Sequence, residues 1–232
     1  MGISFDFKFF LSEIGVAFTY IPIVALLTIV PLTVGTLIGG GLALSRVYKL
    51  RIIQSAARVY VIITRSIPIL LQMLLMYFVI KGFYDYFGLN AAHLNKMVTV
   101  LISCTIISAG FLSEGIRAAL LSVESGQYEA AYSVGMTRMQ SARYVIFPQS
   151  LPVAIPIFGS ISIGVMKASS AAYLLGVVEL IQGTAMKTAG NYKYLEAYCA
   201  AAVIYWALTL GIERVIAFCE KRVRIKMRGG VS

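Results

Sequence analysis

The chain has 232 residues, 59% of them hydrophobic and 13% charged, with a formal charge of +10. A soluble domain carries about 25% charged residues, so composition excludes an ordinary soluble enzyme and points to an integral membrane protein. The charge does not point to nucleic acid, because Lys and Arg fall in short groups between apolar runs and do not share one polar face.

Taken in chain order, residues 3–18 read as a helix lying at the membrane interface. Phe7, Phe10, Leu11, Ile14 and Phe18 recur at helical spacing, but Asp6, Lys8, Ser12 and Glu13 interrupt the apolar run too often for a span. A first span is expected over 20–44, which carries no charge and is longer than the roughly 20 residues that crossing requires. Its Gly35-x-x-x-Gly39 spacing permits close helix contact; glycines scattered in a flexible helix read the same way. A second span is expected over 59–80. It contains Arg65-Ser66-Ile67-Pro68 and Gln72, and Pro68 should kink it or sit where the freed carbonyls find other donors. Residues 81–96 read as a short loop whose Tyr84, Tyr86 and Phe87 suit an interface. The single His93 in that loop reads as solvated and not as a metal ligand. A third span, 97–118, ends on Glu114 and Arg117, three apart and able to pair on a helix.

Residues 121–150 form the most informative polar segment. A short helix is expected over 128–134, with small Ala130 and Ala131 allowing close approach. Gly135 permits the positive φ of a tight turn. A second short helix, 138–147, sets Met139, Ala142, Val145 and Ile146 at helical spacing, with Arg138 and Arg143 off that face and Pro148 ending it. The segment thus reads as a docking element, with an ordinary amphipathic loop as the plain alternative. The fourth span, 151–174, begins at Pro152 and Pro156 and contains Lys167. Fifteen steps from Pro152 are about 22 Å of helix, which sets Lys167 inside the hydrocarbon slab, where an ammonium faces protein or water. A fifth span, 195–216, precedes a basic tail.

The groups 46–65, 117–143 and 214–228 hold fourteen of the twenty Lys and Arg residues. The positive-inside rule puts those groups in the cytoplasm, giving five spans, N-terminus out and C-terminus in. The N-terminus lacks the pattern of a cleaved signal peptide. No second domain or repeat is legible, so 1–232 reads as one transmembrane domain. Cys104, Cys199 and Cys219 have no CxxC spacing and imply neither disulfides nor zinc. There is no phosphate loop, no H-E-x-x-H and no G-x-S-x-G. No catalytic set, metal site or cofactor is therefore expected on this chain.

Glu129-Ala130-Ala131, three residues, Gly135, nine residues, then Val145-Ile146-Phe147-Pro148 resembles the EAA loop of ABC importer permeases, with Val and Phe where Ile and Leu are usual. Ser113-Glu114, Arg117, Gly126-Gln127, Pro148-Gln149 and Gly176-Val177-Val178-Glu179-Leu180 resemble the polar amino-acid branch, the histidine, glutamine, arginine and cystine type. Arg65-Ser66-Ile67-Pro68 is similar to that family's R-G-T-P segment. The resemblance covers roughly 20–220 and implies a type I importer fold in the bacterial cytoplasmic membrane. It implies coupling helices that dock on an ATPase, with Glu129, Ala130, Ala131, Gly135, Arg138, Arg143 and Pro148 as coupling residues. ATP and Mg would belong to a partner ATPase dimer. A second permease chain would complete the pathway, and an extracytoplasmic binding protein would deliver a small polar amino acid. Gln72, Glu114, Lys167, Ser169, Ser170 and Glu179 are the polar groups expected near the pathway. Where the family often reads Lys-Asp, this chain reads Lys167-Ala168. An ATP-independent transporter or channel is the alternative, although such folds usually carry two related halves; a membrane scaffold is another.

Overall fold

The computed structural model describes residues 5–90 and 94–228, apart from the side chains of Lys187, Ala189 and 226–228. His93 and the start of the expected first helix, Ile3 and Ser4, lie outside the described residues. The described chain is helical: α1 Phe7–Thr19, α2 Ile21–Val47, α3 Arg51–Ser66, α4 Ile69–Tyr86, α5 Lys96–Leu121, α6 Ser125–Ser133, α7 Arg138–Ser141, α8 Phe147–Ala168, α9 Leu180–Met186 and α10 Tyr194–Arg228. A π-helical turn, Ala142–Ile146, joins α7 to α8, and a 3-10 turn, Ser169–Leu175, follows α8. Among the described residues, five helical segments are long and apolar enough to cross a membrane: Ile21–Val47, Ile69–Tyr86, Lys96–Leu121, Arg138–Leu175 and Tyr194–Ile225.

The centre of the fold is the α2–α5 pair, which packs more extensively than any other two elements. Backbones approach this closely only where side chains are missing. A Cβ on Gly35 would come within 2.5 Å of Ser108 Oγ, and one on Gly39 within 2.7 Å of the Ala109 carbonyl. The Gly35-x-x-x-Gly39 spacing is therefore a helix contact and not incidental flexibility. Ser108 Oγ donates to the Pro31 carbonyl at 2.8 Å. Around this pair, Leu27, Met73, Val100, Cys104, Ile107, Ala172, Leu175 and Val177 form one apolar core. A second core, including Val24, Met166, Leu180, Ala201 and Ile204, joins α2, α8, α9 and α10.

The expected second span, 59–80, is corrected. Ile67 is extended (ψ 136) and Pro68 opens a new helix, so the stretch is two helices that meet at that proline. Proline disfavours helical backbone at the residue before it and supplies no N–H, which breaks the ladder there. The freed carbonyls are taken by Gln72, whose side-chain amide donates to Thr64 at 2.9 Å and Ile67 at 2.6 Å. Only α4 carries the span-like composition; α3 has three arginines, Arg51, Arg58 and Arg65, and packs on α2 and α5. Its Tyr60 hydroxyl donates to the Ile106 carbonyl. The expected loop 81–96 also begins later than predicted. The α4 helix continues to Tyr86, because nothing before Gly88 (φ 65) breaks it.

The predicted interfacial helix is packed on protein. α1 lies against α9 and α10 and buries Glu13 and Ala17. Asp6 caps it by accepting from the Phe9 N–H at 2.9 Å. Lys193 Nζ donates to the same carboxylate at 2.5 Å, and the Asp6 N–H donates to Glu196 at 2.8 Å. The Lys193 hydrogen bond, with the Phe9 N–H second, holds the Asp6 carboxyl below its usual value. Of the polar residues in α1, Asp6 thus bonds to neighbouring elements, Ser12 donates to the Phe9 carbonyl of its own helix and Glu13 is buried, while Phe7, Leu11 and Phe18 stay exposed.

Candidate functional site

Two regions carry the polar chemistry. The first is the loop from α6 to the start of α8. The α6 helix starts at Ser125, three residues earlier than predicted, so Glu129 sits in mid-helix and not at its N-terminus. The helix closes on a Schellman motif: the Gly135 N–H donates to Tyr132 at 2.9 Å and the Met136 N–H to Ala131 at 3.1 Å, with Gly135 at φ 81. One residue later a capping box starts α7. The Gln140 N–H donates to Thr137 Oγ1 at 3.3 Å, and the Thr137 N–H donates to Gln140 Oε1 at 2.8 Å. Each motif satisfies orphan backbone groups, so together they fix the angle between α6 and α7 with only Gly135 and Met136 between the helix cap and Thr137. The signal for the capping box was in the sequence, as Thr-x-x-Gln, and sequence reasoning missed it.

The second helix of this loop does not end at Pro148, which corrects the reading above. Arg138 to Leu175 is one continuous helical run. Pro148 cannot donate a backbone hydrogen bond, and its ring would crowd the carbonyl four residues before it. Immediately before Pro148 the backbone widens into the π turn, with the Phe147 N–H bonded to the Ala142 carbonyl, which makes room for that ring. Pro148 then falls at the first turn of α8, where a missing N–H costs little. The loop is therefore built directly onto a membrane-length helix. It is also tied sideways: Gln149 Nε2 donates to Gln127 Oε1 at 2.8 Å, and Ala131 is buried. Tyr48, just past α2, lies beside Tyr132 of α6; burial first and that neighbour second push its hydroxyl pKa up.

What the loop leaves open is mixed in chemistry. Glu129, Ala130, Arg138 and Arg143 are exposed, as are the large apolar Val134 (73%), Met139 (76%) and Tyr144 (63%). Of the predicted apolar face, Ile146 is buried but Met139 points out. Exposed apolar groups interleaved with charges are the composition of a protein contact surface.

The second region contains the residues predicted near the pathway, and the structure separates them. Glu114 pairs with Arg117 as expected, and also with Arg46 at 2.9 Å, joining the ends of α2 and α5. Spacing alone offers no way to pair residues so far apart in the chain. Gln72 is occupied at the α3–α4 break. Glu179 is fully buried before α9 and accepts from the Ile181 and Gln182 N–H groups, each at 3.0 Å, and from the Tyr205 hydroxyl at 3.1 Å. Ser169 is buried and donates to the Met166 carbonyl. Lys167 and Ser170, in contrast, line a cavity of about 380 Å³ with Ile181, Tyr205, Trp206 and Thr209. Lys167 is exposed on α8, and its ammonium has no carboxylate partner among the described residues. A second, apolar cavity of about 260 Å³ lies between α4, α5 and α8, lined by Ile69, Cys104, Ile107, Phe111 and Val165 among others. No group of acids, histidines and cysteines able to hold a metal occurs among the described residues.

Comparison with known proteins places this geometry. The family described as "Binding-protein-dependent transport system inner membrane component" matches residues 32–225. The chain is 33% identical over 207 residues to the probable amino-acid permease protein YxeN of Bacillus subtilis (strain 168), covering 89% of this chain and 91% of that one. It is 29% identical over 222 residues to the L-cystine transport system permease protein TcyL of the same organism, covering 95% and 92%. Among solved structures, it superposes with a TM-score of 0.83 on a chain described as "Crystal structure of an amino acid ABC transporter with histidines", at 29% identity, covering 95% of this chain and all of that one.

Proposed function

The chain belongs to the family of binding-protein-dependent transport system inner membrane components, and we propose that it is the permease of an ATP-driven importer for a polar amino acid. It is a multi-pass protein of the bacterial cytoplasmic membrane. The α6–α7 loop docks on a separate ATPase subunit. One observation carries this reading: a loop whose turn is fixed by two capping motifs, open on its outer surface, and continuous with a membrane-length helix. Such an element transmits movement where a tether would absorb it.

In this reading the N-terminus is outside and the loop and C-terminus are cytoplasmic, as the Lys and Arg asymmetry requires. The ATPase dimer holds ATP and Mg, and this chain supplies no catalytic residue or cofactor. A second permease chain completes the pathway, and an extracytoplasmic binding protein loads it. Closure of the ATPase pair moves the loops and switches the pathway between inward and outward access, as rigid bodies. Of the six residues expected near the pathway, Lys167 and Ser170 face the solute. Gln72, Glu114, Ser169 and Glu179 hold its walls through bonds inside the chain.

The test is reconstitution of the permease with its ATPase and binding protein in proteoliposomes. Amino-acid uptake should require ATP and both partners. Glu129→Lys should weaken co-purification of the ATPase while the permease remains in the membrane. Uptake without ATP would refute the importer reading.

A further inference from the structure

The cavity at Lys167 has a charge pattern that selects its occupant. In α8, the exposed positions from Val153 onward include Ser160, Gly164 and Lys167, with Phe158 off this line. They follow at intervals of seven, four and three residues, so they form one stripe along the helix. A stripe containing an ammonium is unsuited to lipid, and an ionisable group at this depth faces protein or water. Around it, Ser170, Tyr205, Trp206 and Thr209 complete a cavity of about 380 Å³, large enough for one amino acid.

The acids near this cavity are not free to meet a cation. Both oxygens of Glu179 are engaged by two backbone N–H groups and the Tyr205 hydroxyl. Glu114 serves two arginines at the far end of α5. Glu213, one turn along α10 from Thr209, opens on a different cavity with Pro156 and Ile163. Lys167 is thus the single charged side chain among the described residues lining the 380 Å³ cavity. Hydroxyls supply the remaining polarity. Ser170 donates to the Lys167 carbonyl at 2.7 Å and Thr209 to the Tyr205 carbonyl at 2.8 Å. Each hydroxyl oxygen keeps a lone pair for an incoming donor.

We propose that this cavity holds the solute in transit, that Lys167 binds its carboxylate, and that the site accepts amino acids of zero or negative net charge and rejects cationic ones. A zwitterion satisfies the arrangement: its carboxylate pairs with the ammonium, and its own ammonium donates to hydroxyl oxygens. An added carboxylate is welcome beside a lone cation. An added guanidinium or ammonium would sit beside the like-charged Lys167 ammonium with no carboxylate presented to it by the described residues, which is costly. The exposed Trp206 ring attracts cations only weakly by comparison.

This inference rests on the importer reading, and the experiment separates the two. The permease–ATPase complex in nanodiscs, without binding protein, is titrated with radiolabelled L-glutamine, L-glutamate and L-arginine. Glutamine and glutamate should bind and arginine should not. Lys167→Met should weaken glutamine and glutamate binding by at least about tenfold, the loss expected when one partner of a hydrogen-bonded charge pair is removed. Lys167→Glu should lose glutamate and gain arginine. Glu213→Gln should leave the pattern unchanged. Arginine binding as tightly as glutamine to the wild type, no binding by any of the three, or an unchanged pattern in both Lys167 variants overturns the proposal. ATP-driven amino-acid uptake that persists alongside any of those results spares the importer reading; absence of such uptake removes both.

Discussion

The α6–α7 loop and the Lys167 cavity solve opposite problems with the same kinds of groups. In the loop, backbone donors and acceptors at the turn are satisfied locally, by the Schellman bonds at Gly135 and the capping box at Thr137. Its shape needs no partner, and its outer side chains are left for one. Beside the cavity, Glu179 and Ser169 are satisfied within the chain, while the Lys167 ammonium that lines it has no counter-charge among the described residues. The loop is preformed in shape; the cavity is left incomplete in charge. A substitution in the loop should therefore alter geometry, and one at Lys167 should alter selectivity with little effect on folding.

The largest expected effect is at Gly135. Its φ of 81 lies where a β-branched residue is strained by about 1–3 kcal/mol. Gly135→Val should release the Schellman turn, detach the ATPase and lower uptake at least about tenfold. Co-purification and uptake measured together check it; retention of both would show that the turn is incidental.

Next comes Glu179→Ala, which sharpens the contrast from the cavity side. It leaves two backbone N–H groups and the Tyr205 hydroxyl without their acceptor. Stability should fall by about 1–3 kcal/mol, read as a lower unfolding temperature in detergent. The double variant Thr137→Ala, Gln140→Ala removes the capping box and should cost about 1 kcal/mol of local helix stability. Faster hydrogen exchange confined to α7 would show it. Lys167→Met, by contrast, breaks no bond and should change unfolding by less than about 0.5 kcal/mol. A large destabilisation there would mean that the ammonium has a structural partner after all.

The smallest effect is at Asp6, far from both regions. Its carboxyl is held below its ordinary value, chiefly by Lys193. A depressed acid contributes stability above its unfolded value and loses it as pH falls. Asp6→Asn should therefore lower the unfolding temperature slightly at neutral pH. The difference from wild type should close as pH drops below the ordinary value of 3.8.

Four of the five spans and the turn at Gly135 were legible because they depend on local composition and spacing. What was not legible depends on long-range pairing or on competition between local rules. Arg46 and Glu114 meet only because Gly35 and Gly39 let α2 and α5 approach. Pro148 is a helix stop by its own chemistry, yet the π turn before it carries the helix on. The opposite outcome at Pro68 shows why one rule does not serve both. There the preceding residue is extended, and Gln72 supplies the donors that a continuous helix would have supplied. Polar residues were expected near the pathway from the resemblance and their place in the chain, and neither reveals which of them already have partners.

The account stands most directly on the loop being a cytoplasmic surface that the ATPase covers. In a variant with Cys104, Cys199 and Cys219 replaced by serine or alanine, Met139→Cys places one thiol on that surface, where the native side chain is 76% exposed. Labelling with a membrane-impermeant maleimide is then followed in right-side-out and inverted vesicles, with and without the ATPase. The account predicts rapid labelling only in inverted vesicles, and protection once the ATPase is bound. Labelling from the outside, or labelling at the same rate with the ATPase present, would contradict it.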